Sequence, residues 1–107
     1  MSVKVTSQDL EKLLKDYGNS AFVVTVAKNL RAKVVHSPIF LEEDFFICAP
    51  GEGTLNNLND NRSITLIFPP YSEGGFSMII DGDGEVIDPE EGTIKISFIN
   101  GVLHRPA

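Results

Sequence analysis

The feature of this sequence that most restricts its fold is a series of short runs rich in β-branched and aromatic residues. Clusters of glycine, proline, asparagine and acidic residues separate them, a pattern typical of β-strands joined by turns. The runs lie at residues 21–26, 31–40, 45–49, 63–68, 76–87 and 93–99. Short strands at this spacing predict a small antiparallel barrel, because a closed sheet leaves few exposed edges.

One amphipathic helix is predicted ahead of the strands, over about residues 7–17. Its apolar side chains fall at the spacing of one helical face: Leu10, Leu13, Leu14 and Tyr17. Ser7 is the predicted N-cap, and Gly18 is the predicted end.

Turn-forming residues interrupt the later runs. Thr54–Leu58 predicts one short helical turn with Thr54 as its cap. Asp81–Gly84 predicts either a bulge or a tight turn. Asn100-Gly101 predicts a hairpin that folds residues 102–104 back against the last run.

Composition excludes several classes of protein. The 107 residues suit one domain, and nine basic against fifteen acidic residues give a net charge of −6. Such a chain is unsuited to binding nucleic acid, where lysine and arginine on phosphates supply much of the affinity. The apolar runs are too short to span a bilayer, and the polar N-terminus is unlike a signal peptide. A single cysteine excludes an internal disulfide. These features together predict a cytoplasmic location.

None of the recognisable short motifs is complete. Gly51-Glu52-Gly53 lacks the third glycine of a dinucleotide-binding loop, since Asn56 stands there, and no Gly-Lys-Ser/Thr of a P-loop is present. Asp81–Glu85 begins like a calcium loop but lacks the required glycine and closing glutamate.

The soft metal ligands and nucleophiles are few: Cys48, His36 and His104. They lack ligand-like spacing, so no metal site is predicted. A Cys48–His36 nucleophile pair is possible in principle. A buried structural thiol and a half-buried histidine are the favoured interpretations.

Four segments together resemble a known family. They are "AFVVTVAKNLRAKVV", "FFICAPGEGTLNNLNDNRSITLIFPP", "GGFSMIIDGDGEVID" and "VLHRPA". They resemble small members of the pyridoxamine 5′-phosphate oxidase-like family, the FMN-binding split-barrel proteins, from about Ala21 onward. The pattern Thr54-x-x-Asn57-Leu58, the following "ITLIFPP" and the terminal "LHRPA" carry most of the similarity. The resemblance implies a mainly β fold, a six-stranded antiparallel split β-barrel with one N-terminal helix and a short helical turn.

The resemblance also implies a homodimer with FMN sites at its interface. In that family a basic residue on the second strand and residues of the turn after the third strand hold the flavin phosphate. Arg31 matches the former, whereas Glu52, Gly53 and Thr54 stand where members carry a Ser-Arg-Lys-like grip. Cys48 falls where members often place Thr or Ser near the flavin. The candidate cofactor-binding residues are Arg31, His36, Cys48, Thr54, Asn57 and Arg105.

Two hypotheses follow from this resemblance. The first is an FMN-binding protein with possible oxidoreductase activity on a small molecule, in which Arg105 reaches across a dimer. The second is a dimeric scaffold or small-ligand-binding module that has lost FMN, because Gly53 and Thr54 carry no charge and Glu52 is negative. No side chain is marked as a catalytic acid or base.

Overall fold

A computed structural model describes residues 1–106, in which eight strands form one sheet. The strands are β1 Ser2–Val5, β2 Ser20–Val26, β3 Ala32–Pro38, β4 Phe40–Glu42, β5 Phe45–Cys48, β6 Ser63–Phe68, β7 Ser77–Asp88 and β8 Thr93–His104. The helices are α1 Leu10–Tyr17, which follows a 3-10 turn at Ser7–Asp9, and α2 Glu52–Asp60. No helix in the described part of the chain is long and apolar enough to cross a membrane.

Strand β8 organises the sheet. The strand order is β3-β2-β6-β7-β8-β5-β4, with antiparallel pairing throughout. One edge of β8 pairs with β7, while the other edge pairs with β5 in its first half and β1 in its second half. The sheet curls around its buried face into a half-barrel, so the predicted mainly β, antiparallel split-barrel class is confirmed.

The core forms because inward-facing apolar side chains alternate with outward-facing ones along the strands. In β6, Ile64, Leu66 and Phe68 are buried, whereas the residues between them are half-buried on the outer face. Phe46 from β5 lies inside, with its ring centroid 6.3 Å from that of Phe68. Leu10 of α1 is also buried and anchors that helix to the same core.

The cap of the N-terminal helical segment lies one residue earlier than predicted, at the start of the 3-10 turn that leads into α1. Thr6, not Ser7, is the N-cap residue, because the Asp9 carboxylate accepts both the Thr6 backbone N–H, at 2.8 Å, and the Thr6 hydroxyl, at 3.0 Å. The helix ends at Gly18, as predicted, where φ is 85° and the N–H donates to the Leu14 carbonyl.

The strand count differs from the prediction of six. Residues 2–5 form the unpredicted β1, whose partner lies about a hundred residues away in the sequence and could not be read from local pattern. The run predicted over residues 31–40 is divided at Ile39 between β3 and β4, and Pro38 ends β3 at the edge of the sheet, the kind of position that proline tolerates.

The predicted hairpin at Asn100-Gly101 is wrong, because β8 runs straight through both residues. Gly101 packs closely against β7 there: a Cβ atom on it would lie 2.7 Å from Ile80 Cδ1. At Asp81–Gly84 the bulge alternative is correct and the tight turn is wrong, since β7 continues with a register shift between Asp81 and Gly82.

Candidate functional site

The start of α2 presents free backbone donors. Gly51 is the N-cap residue, with φ 113°, a backbone conformation that side-chain-bearing residues rarely adopt. The first helical hydrogen bond runs from the Leu55 N–H to the Gly51 carbonyl, at 3.2 Å. The N–H groups of residues 52–54 therefore precede the helical ladder and have no side-chain cap. Such N–H groups, aligned with the helix dipole, favour an anion.

A lysine lies against this first turn. A Cβ atom built on Gly53 would lie 2.5 Å from Lys33 Cε and 2.9 Å from Lys33 Nζ, so the glycine leaves the space that the lysine side chain occupies. Lys33 is exposed on β3 and pairs in register with Thr25 of β2. No salt bridge to Lys33 is present among residues 1–106. Lys33 and the N–H groups of residues 52–54 are called the first-turn site below.

Two polar side chains lie under the same turn of α2. Asn57 Nδ2 donates to Thr25 Oγ1 at 3.1 Å and so ties the helix to β2. Thr54 is fully buried, and within the described chain its Oγ1 has no hydrogen-bond partner. Thr54 is the third residue of a nine-residue helix rather than the predicted cap of a single turn. An unsatisfied buried hydroxyl costs about 1–3 kcal/mol, so this one invites a functional explanation.

Arg31 lies near this site in sequence but makes no side-chain interaction that fixes it there. It is exposed in the turn before β3, two residues ahead of Lys33. Its backbone N–H donates to Asn29 Oδ1 at 3.1 Å. The Arg31 guanidinium, like the Lys33 ammonium group, has no salt-bridge partner in residues 1–106.

His36 and Cys48 are not brought together. His36 is exposed beside Phe22, with 4.9 Å between the ring centroids, whereas Cys48 is 3% exposed and belongs to the core. Burial raises the pKa of the Cys48 thiol to about 11, with a smaller opposing effect from a hydrogen bond to Ser37. The thiol is therefore protonated at neutral pH, which makes it a poor nucleophile.

Arg105 lies far from the first-turn site within one chain. Its guanidinium stacks over Phe76, with Cζ 4.5 Å from the ring centroid, and Nη2 contacts Met1 Sδ at 3.3 Å. Arg105 follows the last residue of β8, whereas the start of α2 faces the turn that precedes the first residue of β8. The twelve residues of β8 separate the two ends along the chain.

An acidic pocket flanks the first-turn site on the side that faces the β7–β8 turn. Its volume is about 370 Å³, and it is lined by Ala49, Gly51, Glu52, Leu55, Pro89, Glu90, Glu91 and Gly92. The three glutamates are exposed and have no salt bridge in residues 1–106. The Asp88 carboxylate accepts the N–H groups of Glu90 and Glu91, both at 3.1 Å. Those two donors are thus used within the turn, and the pocket presents mainly negative charge.

Lys33 is the residue that sequence reasoning missed. It lies inside a strand-like run, and which residue of a distant helix it meets depends on how α2 packs on the sheet. A signal was present in Gly53, since glycine lowers stability inside a helix by about 1 kcal/mol relative to alanine and needs a compensating reason. The close approach of Lys33 supplies that reason.

Comparison with known proteins supports the fold and leaves the activity open. No family model matches the chain. Uncharacterized proteins of Mycobacterium bovis and Mycobacterium tuberculosis are each 34% identical to it over 61 residues. Each match covers 53% of this chain and 43% of the relative, so the similarity spans less than half the length of these proteins.

Three solved structures share nearly the whole architecture. A FAD-binding protein of Mesorhizobium loti superposes with a TM-score of 0.70 and 11% identity, covering 95% of this chain and 96% of that one. A protein assigned to 5-nitroimidazole antibiotic resistance, from Bacteroides thetaiotaomicron, superposes with a TM-score of 0.67 and 14% identity. The match covers 95% of this chain and 87% of that one. A Corynebacterium glutamicum protein assigned as a pyridoxamine 5′-phosphate oxidase superposes with a TM-score of 0.65 and 11% identity, covering 99% of this chain and 96% of that one. The chain therefore has the split-barrel fold of the flavin-binding and pyridoxamine 5′-phosphate oxidase-like proteins, as its sequence resemblance implied.

Proposed function

We propose that this protein binds FMN and that the first-turn site holds the 5′-phosphate. The observation that carries the proposal is the position of Lys33, which has no carboxylate partner in residues 1–106. It lies against Gly53 beside the uncapped N–H groups of α2. A phosphate monoester carries nearly two negative charges near neutral pH and needs strong donors. Charge-assisted bonds from lysine, together with N–H groups at a helix start, are donors of that kind.

Lys33 answers the main objection to FMN that the sequence raised. Glu52, Gly53 and Thr54 provide no positive charge where the resemblance implies a basic grip. A hydrogen bond to a charged group contributes about 1.5–3 kcal/mol, against about 1 kcal/mol for a neutral one. Lys33 at this place supplies one charge-assisted contact, and Arg31, two residues away in sequence, is a candidate for a second.

The role proposed for the protein in any reaction is to bind and orient the cofactor. FMN supplies redox chemistry when it is bound. Asn57 holds α2 against β2 through Thr25, which fixes the direction of the N–H groups. An oxidoreductase activity on a small molecule would depend on how the bound flavin ring is oriented.

We further propose that two copies associate, as the resemblance implies, and that they do so through the outer face of the sheet. Cross-strand pairing makes its apolar residues contiguous: Phe22, Val24, Val34, Ile67, Ile79 and Val102. Val34 is 56% exposed on the edge strand β3, and Phe22 is 38% exposed. A contiguous apolar face of this kind marks an interaction site.

Sedimentation velocity is expected to give twice the 11.7 kDa chain mass. Val34→Lys is expected to shift this mass toward that of the monomer. A wild-type monomer at micromolar concentration would refute the dimer.

The alternative function, a scaffold without flavin, is favoured by the acidic pocket beside the first-turn site. Three carboxylates close to a phosphate weaken its binding, since like charges repel at this range even when partly screened. Titration with flavins separates the two functions.

The test compares FMN with riboflavin, which lacks the phosphate, by flavin fluorescence and calorimetry. We expect FMN to bind at micromolar concentration or below, and riboflavin about tenfold or more weakly, because only FMN reaches the first-turn site. Arg31→Ala should weaken FMN several-fold and leave riboflavin nearly unchanged.

Lys28→Ala is the matched control for this variant. Lys28 pairs with Asp60 at the opposite end of α2, at 3.5 Å. Its loss should leave both flavins unaffected. Absence of FMN binding at high micromolar concentration would exclude the flavin function and leave the scaffold.

A further inference from the structure

The first turn of α2 carries opposite charges on its two flanks. Lys33 lies on one flank, against Gly53, and the acidic pocket lies on the other, with Glu52 in its wall. The side of this turn that faces the sheet leaves no room for a ligand, since Thr54 is fully buried and Asn57 is hydrogen-bonded to Thr25 of β2. A group larger than one phosphate must therefore extend from the first-turn site into the acidic pocket or into solvent beside it.

The acidic pocket offers an anion little compensation. Asp88 occupies the N–H groups of Glu90 and Glu91, and proline at position 89 has no N–H to give. What remains at the surface is three carboxylates without salt-bridge partners in the described chain. A second phosphate entering this pocket meets negative charge on both walls, from α2 and from the β7–β8 turn.

We propose that Glu52, Glu90 and Glu91 restrict the first-turn site to a terminal phosphate monoester and so select FMN against FAD. This inference rests on the proposed FMN function. FAD carries the same first phosphate as a diester, with one negative charge fewer for Lys33 to attract, and adds a second phosphate at the acidic side. The fold does not dictate the choice, because a split-barrel relative from Mesorhizobium loti is a FAD-binding protein.

The test measures dissociation constants for FMN and FAD on the wild type and on the triple variant Glu52→Gln, Glu90→Gln, Glu91→Gln. The wild type should bind FMN at least about tenfold more tightly than FAD. In the triple variant this ratio should fall at least about threefold, mainly because FAD binds better. Exposed glutamates tolerate the isosteric change, and circular dichroism checks that both proteins are folded.

The control changes three exposed glutamates outside the pocket, Glu11→Gln, Glu42→Gln and Glu73→Gln, and alters the net charge equally. The FMN-to-FAD ratio should not change in this control. An unchanged ratio in the pocket variant, an equal change in the control, or a wild type that prefers FAD would each overturn the selectivity while leaving the FMN function standing. A wild type that binds neither flavin would overturn both.

Discussion

Replacing Lys33 with glutamate is expected to weaken FMN binding about 100-fold or more. The change removes a charge-assisted bond that contributes about 1.5–3 kcal/mol. It also places a carboxylate against Gly53, where the N–H groups of α2 would hold the phosphate. The repulsion adds to the lost attraction, and each 1.4 kcal/mol corresponds to tenfold in affinity. Riboflavin binding should change little, because it has no phosphate to be repelled.

The matched comparison is Lys28→Glu, which alters the net charge by the same amount at the far end of α2. Lys28 and Lys33 are both exposed, so neither change should unfold the protein. FMN titration at two salt concentrations then separates local from general electrostatics, since screening reduces the long-range part. Equal losses in the two variants, or an unchanged FMN affinity in Lys33→Glu, would refute a phosphate site at this turn.

Local pattern predicted most elements of the fold. The β6 run and the end of α1 at Gly18 follow from alternation and from a glycine C-cap, both of which are local. The split-barrel class followed from the order of the segments and their resemblance to a family. What local pattern missed depends on long-range pairing: β1 exists only because residues 2–5 meet the end of β8.

The candidate site was also predicted only in part, because some of its contacts join residues that are distant in the sequence. Thr54 and Asn57 were singled out and lie together on α2, whereas Lys33 was not. Its role depends on which residue of α2 meets β3, which no single segment encodes. Arg105 lies beyond the far end of β8 from the first-turn site, so its proposed role requires a second copy. That role and the roles of His36 and Cys48 stay predictions.

Two glycines within β7 give the second large effect, which concerns stability. Gly82 and Gly84 lie on the same buried face of β7. A Cβ on Gly82 would lie 2.6 Å from Ile96 Cγ2 and 2.7 Å from the Ser97 carbonyl oxygen. The carbonyl belongs to β8 and is held by the sheet, so it cannot move aside as a side chain can. The atoms nearest to a Cβ on Gly84 are the Leu58 methyl groups, at 3.0 and 3.2 Å, and Ile64 Cγ2, at 3.5 Å.

Gly82→Ala is therefore expected to lower the free energy of unfolding by about 2–3 kcal/mol, the upper part of the usual range for overpacking. Gly84→Ala, two residues along the same strand, should cost about 1 kcal/mol or less because leucine can change rotamer. The midpoint of thermal unfolding should fall by roughly 10–20 °C for Gly82→Ala. Urea denaturation measures both variants, and similar losses at the two positions would show that strand β8 yields as readily as a side chain does.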